Sequence, residues 1–171
     1  MKSHYLRLNV LIFVFLAIVL TACGSTVSKD TELLIDKNQK YSVLYPADFN
    51  VEFYGSNGVA IVRGTRADQK GARADINLLP TGSLNTQGVR DEYVADYPNS
   101  ELTTSTITID NEEAVVIDGV PGKEVNRVVL IVHGDDLFKL NFTPGDPKDR
   151  DYREMEALYK VIIESFDFDP E

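Results

Sequence analysis

Five consecutive apolar residues, Val128-Val129-Leu130-Ile131-Val132, set the tightest limit on what this chain can fold into. They are mostly β-branched and run up to the turn-forming residues Gly134-Asp135-Asp136, which marks a strand. Successive side chains of a strand point to opposite faces, so this one is apolar on both and belongs in the middle of a sheet that is covered twice. The stretch beyond the turn differs: Phe138, Leu140 and Phe142 alternate with Lys139 and Asn141.

Similar periodicities predict strands near Tyr41 to Tyr45, Val51 to Tyr54, Val59 to Arg63, Ala74 to Leu79, Thr104 to Ile109, Ala114 to Ile117, Lys123 to His133 and Leu137 to Phe142. Asp118-Gly119 and Gly134-Asp135-Asp136 read as turns, so consecutive strands are expected to pair as antiparallel hairpins. The cover has to be helical. Val89, Tyr93, Val94 and Tyr97 make one stripe, stopped by Pro98; Tyr152, Met155, Leu158, Tyr159, Ile162 and Phe166 make another, on a helix expected from about Pro147 to Ser165 with Asp146 placed to cap it. The expected class is α+β, a central, mostly antiparallel β-sheet flanked by helices on both faces.

The amino terminus has a different character. Met1 to Arg7 carry two fixed positive charges and no acid, and lead into the 11-residue apolar run Val10 to Leu20. As a helix, such a run covers roughly 16 Å, about half of the ~30 Å hydrocarbon core, which suits a cleaved signal better than a permanent span. Leu20-Thr21-Ala22-Cys23-Gly24 then resembles the lipobox of bacterial lipoproteins: a branched apolar residue, two small residues and a cysteine. The resemblance implies removal of residues 1–22 and a diacylglyceryl group on the Cys23 sulfur. Attachment through two or more acyl chains is lasting, at ~0.8 kcal/mol per buried methylene. Cys23 is the single cysteine, so no internal disulfide forms and no free thiolate remains for catalysis.

Residues 23–38 are expected to form a lipidated flexible tether, mostly small or polar, with the trio Leu33-Leu34-Ile35 able to dock on the domain. Residues 39–171 are expected to form one globular domain of 133 residues, large enough for a real core. The full chain has a formal charge of −10, and loss of Lys2 and Arg7 with the signal makes it −12. Such a surface disfavours nucleic acid as a partner.

The domain resembles the PsbP-like group of α/β/α sandwiches, which includes extrinsic photosystem proteins and many bacterial lipoproteins. The resemblance rests on Tyr41-Ser42-Val43-Leu44-Tyr45-Pro46-Ala47-Asp48-Phe49, the Gly119-Val120-Pro121-Gly122 turn, the strand pair around Gly134-Asp135-Asp136-Leu137-Phe138, and the closing Ile162-Ile163-Glu164-Ser165-Phe166-Asp167-Phe168. It implies a fold over roughly residues 39–169 and transfers no site residue.

Motifs of catalysis are sparse. His133 is the one histidine left after the signal is removed, and no Gly-x-Ser-x-Gly elbow accompanies it. The acids at Asp110-Asn111-Glu112-Glu113, at Asp135-Asp136 and at Asp146, Asp149 and Asp151 lack the spacing of a calcium loop, and no phosphate loop occurs, so neither a metal nor a cofactor is expected. The distinctive surface feature is the basic segment carrying Arg63, Arg66, Lys70 and Arg73 in an otherwise acidic domain, the candidate partner-binding residues. The leading reading is a membrane-anchored, non-enzymatic binding or accessory module of the cell envelope, whose partner is an envelope protein or a small ligand. The alternatives are an envelope hydrolase using a serine with His133, and a purely structural lipoprotein.

Overall fold

Alternating apolar and polar residues become antiparallel pairing throughout the computed structural model, which describes residues 30–36, 41–68 and 70–170. The signal segment 1–22 and Cys23 lie outside the described residues. Among the described residues ten strands and two α-helices follow in the order β1 (Thr31–Asp36), β2 (Tyr41–Pro46), β3 (Asn50–Tyr54), β4 (Gly58–Val62), β5 (Arg73–Pro80), α1 (Thr86–Ala95), β6 (Thr103–Ile109), β7 (Glu112–Val120), β8 (Asn126–His133), β9 (Asp136–Thr143), α2 (Tyr152–Ser165) and β10 (Asp167–Phe168). Seven strands form one sheet, in the order β3-β4-β5-β9-β8-β7-β6, and three form another, β1-β2-β10. Every pairing is antiparallel.

Strand β8 lies inside the larger sheet, between β9 and β7, and its side chains divide between two cores. Val129 and Ile131 pack with Leu140 and Phe142 of β9 and with Met155, Leu158 and Ile162 of α2. Val128 and Leu130 pack with Val115 and Ile117 of β7 and Val89 of α1, and Tyr93, Val94 and Tyr97 lean on that second group. The apolar residues Val128 to Val132 are thus shared between two clusters.

Four local expectations change. Thr31–Asp36, read as tether with a docking trio, is a strand: Leu33 pairs with Leu44, Leu34 with Val43, and Leu34 is buried in the larger core. Asp118-Gly119 is no turn between strands. It is a bulge inside β7, where the register shifts between Asp118 and Val120, and Gly119 takes φ +83° where a Cβ would press on the Glu101 carbonyl. The β7–β8 connection runs instead through Pro121 to Val125, and a separate turn at Asp110 and Asn111, both at positive φ (45° and 66°), closes the β6–β7 hairpin. Helix α2 starts at Tyr152, not near Pro147, and Asp146 does not cap it. The side chains of Asp146 and Asp149 accept from the backbone N–H groups of Lys148 and Asp151 at 2.9 and 2.8 Å, local turns that compete with helix.

Candidate functional site

Helix α1 packs mainly on β7 and β8. The same sheet face continues onto β9 and β5, where alternate residues change character. Lys139 and Asn141 lie opposite Leu130 and Val128, and Asn77 and Asp75 lie opposite Lys139 and Asn141, so all share the face that α1 leaves uncovered. Their neighbours Ala74, Ile76, Leu140 and Phe142 point the other way, into the core under α2. The result is a cleft of about 450 Å³, floored by Arg73, Asp75, Asn77, Lys139 and Asn141 and walled by Tyr54, Arg66, Tyr93 and Tyr97.

Each wall is held. The Tyr54 ring lies over Gly58, where any Cβ would overlap it, and its hydroxyl donates to Asn77 Oδ1 at 2.9 Å. Burial, with the Asp75 charge adding to it, pushes that phenol up to about 12, so it stays a donor at neutral pH. The Arg66 guanidinium sits 3.8 Å above the Tyr54 ring centroid, and Lys139 Nζ sits 4.9 Å from that of Tyr93. At the end of the cleft Asn126 is fixed: its Nδ2 donates to the Val120 and Glu124 carbonyls, and its Oδ1 accepts from Thr143 Oγ1 at 2.5 Å.

The charges are unbalanced. Asp75 lies 3.7 Å from Arg73 and 3.8 Å from Arg66, close enough for ion pairing but too far for a hydrogen bond. Burial raises the Asp75 carboxyl above its ordinary range, against the pull of Arg73 and Arg66. Arg73 is mostly buried, and its Nη1 has no hydrogen-bond partner.

The structure divides the four cations of the basic segment. Arg66 and Arg73 turn into the cleft, while Arg63 and Lys70 line a separate depression with Asp68, Arg150, Asp151 and Glu154. Arg63 bonds Glu154 of α2, pairs with Asp48 at 2.6 Å and lies over the Phe49 ring, so its charge is engaged within the protein. Tyr54, Asn77, Tyr93, Tyr97 and Lys139 were not foreseen as site residues. The readable signal was polar alternation on two strands, Arg73-x-Asp75-x-Asn77 and Lys139-x-Asn141.

His133, at the end of β8, stacks on Phe168 with ring centroids 4.4 Å apart. Its Nδ1 lies 2.9 Å from Glu112 and its Nε2 3.4 Å from Asp169. Carboxylates thus face both ring nitrogens.

The architecture is similar to the solution structure of cyanobacterial PsbP (CyanoP) from Synechocystis sp. PCC 6803, with a TM-score of 0.55 over 88% of this chain and 99% of that one, at 10% sequence identity. The fold is PsbP-like. A protein of known crystal structure from Bacteroides thetaiotaomicron VPI-5482 is similar over 82% of this chain and 49% of its own, at 12% identity and a TM-score of 0.47. No family model matches the sequence, and no curated protein does. At 10% identity the PsbP likeness is one of fold, so the chemistry of the cleft rests on this chain's own residues.

Proposed function

We propose that the chain is a membrane-anchored envelope lipoprotein, attached through Cys23, whose PsbP-like α/β/α sandwich acts as a non-enzymatic binding module with the cleft between β5, β9 and α1 as its binding surface. The observation that carries the reading is the cleft: a concave, polar surface built on rigid strands, with a buried guanidinium and a lysine on its floor. The lipobox residues Leu20 to Cys23 support the anchor. Among the described residues no helix is long and apolar enough to cross a membrane. In this reading Arg66 and Arg73 contact the partner, and Arg63 serves the β4–α2 contact instead. Weighing against the hydrolase alternative, Glu112 faces His133 Nδ1 at 2.9 Å and Asp169, not a serine, faces Nε2 at 3.4 Å.

The test is complementation in a strain whose deletion of the gene produces an envelope defect. Cys23→Ala should abolish lipidation, read by mass spectrometry, and Arg73→Glu with Lys139→Glu should fail to complement although folded and lipidated. His133→Ala should complement. Rescue by the cleft variant together with failure of His133→Ala would reverse the ranking and put the hydrolase first.

A further inference from the structure

Resting on the cleft as binding surface, the geometry points to its ligand class: a small organic anion about one ring in size, held through a carboxylate or phosphate group by Arg73, Arg66 and Lys139. Three observations converge on it. The cleft holds three cations against the single carboxylate of Asp75 among the described residues lining it, an excess of two positive charges in a chain of formal charge −10. That carboxylate stands between Arg73 and Arg66 and hydrogen-bonds neither, so the guanidinium forks retain unfilled donor positions. Arg73 Nη1 is buried with no acceptor, an arrangement costly for a charged donor and relieved by an oxyanion placed on the cleft floor.

Size selects within the class. About 450 Å³ lies toward the lower part of the roughly 300–1,000 Å³ range of small-molecule pockets, which fits one ring with its charged group and not a polymer. The tyrosine hydroxyls of the walls and the carboxamides of Asn77 and Asn141 on the floor suit the hydroxyl groups of a sugar acid or a sugar phosphate. The two share the same oxyanion chemistry at the guanidinium.

Titration calorimetry of the full-length protein in detergent at low salt tests this with four probes: inorganic phosphate, glucose 6-phosphate, glucuronate and uncharged glucose. Saturable binding is expected for glucose 6-phosphate or glucuronate, and which of the two binds separates a phosphate ligand from a carboxylate one. Glucose should give no heat above dilution. Arg73→Gln and Lys139→Gln should each weaken the anion about tenfold. Asp75→Asn should tighten it about tenfold, an effect that a folding defect cannot imitate. Absence of binding by every anion, or glucose binding as tightly as its phosphate, overturns the ligand class, while the cleft itself is still judged by complementation. Anion binding that all three substitutions leave unchanged places the site elsewhere and overturns both.

Discussion

Tyr41 carries a hydroxyl into the core where it meets no hydrogen-bond partner. Its ring explains why it is there: it stacks on Phe166 at 5.3 Å and meets Phe138 edge-on at 5.8 Å, contacts that the ring makes without the oxygen. Burial, then the nearby Asp36 charge, holds the phenol well above its ordinary value of 10. In the folded chain the proton is therefore kept to higher pH than in the unfolded chain, so stability falls as pH rises above about 10. Tyr41→Phe removes an unpaired buried hydroxyl that costs roughly 1–3 kcal/mol, and it should be neutral to stabilising in urea unfolding at neutral pH. The alkaline loss of stability should be shallower in the variant, though Tyr54 and Tyr93, also raised by burial, keep part of it. A loss above ~1 kcal/mol at neutral pH would mean that the hydroxyl is paired after all. Gly58 poses the reverse case, because its missing Cβ is the space the Tyr54 ring occupies. Gly58→Ala should displace that ring and break its bond to Asn77, at a cost of about 1–3 kcal/mol. Ultraviolet titration should then find a tyrosine moved down from about 12 toward its ordinary value.

At the scale of elements, α2 is the helix on which the larger core depends. Met155, Leu158 and Ile162 are fully buried at three- and four-residue spacing, against β2, β5 and β9. Leu158→Ala should cost ~2 to 5 kcal/mol in urea unfolding, and a change below about 0.5 kcal/mol would put the residue on the surface. This stripe was legible because a helix face repeats at a fixed period, and the helix start was not, since Asp146 and Asp149 divert the chain into side-chain turns that period cannot reveal. Strand β1 escaped notice for a related reason: Thr31-Glu32-Leu33-Leu34-Ile35-Asp36 has no clean alternation, and its outer residues Leu33 and Ile35 remain exposed. The cleft was half legible. The alternation along β5 and β9 told which residues share a face, but that α1 packs mainly on β7 and β8 and leaves a cleft over β5 and part of β9 depends on where a ten-residue helix lands, which no local pattern encodes.

Across the whole molecule the two ends of the described chain meet on one strand. Strand β2 lies between β1 and β10, so the first and last strands both complete the small sheet, and Leu34, Val43, Phe166 and Phe168 share its core. A lipid anchor at Cys23 would then act over a short distance. From Cys23 to Thr31 there are eight residue steps, at most about 28 Å when extended, against the ~55 Å available had the tether run to residue 39. The energetic consequence can be tested on the domain alone. A chain beginning at residue 39 lacks β1, loses the burial of Leu34 and leaves the edge of β2 open to pairing with other chains. It should be less stable than a chain beginning at residue 30 by about 2–5 kcal/mol, the range for deleting a buried leucine, and should scatter light at concentrations where the longer chain stays monomeric. Urea midpoints for both, taken at two protein concentrations, decide the matter: equal midpoints would make β1 an accessory to a domain that starts at β2, and would return the tether to its full length.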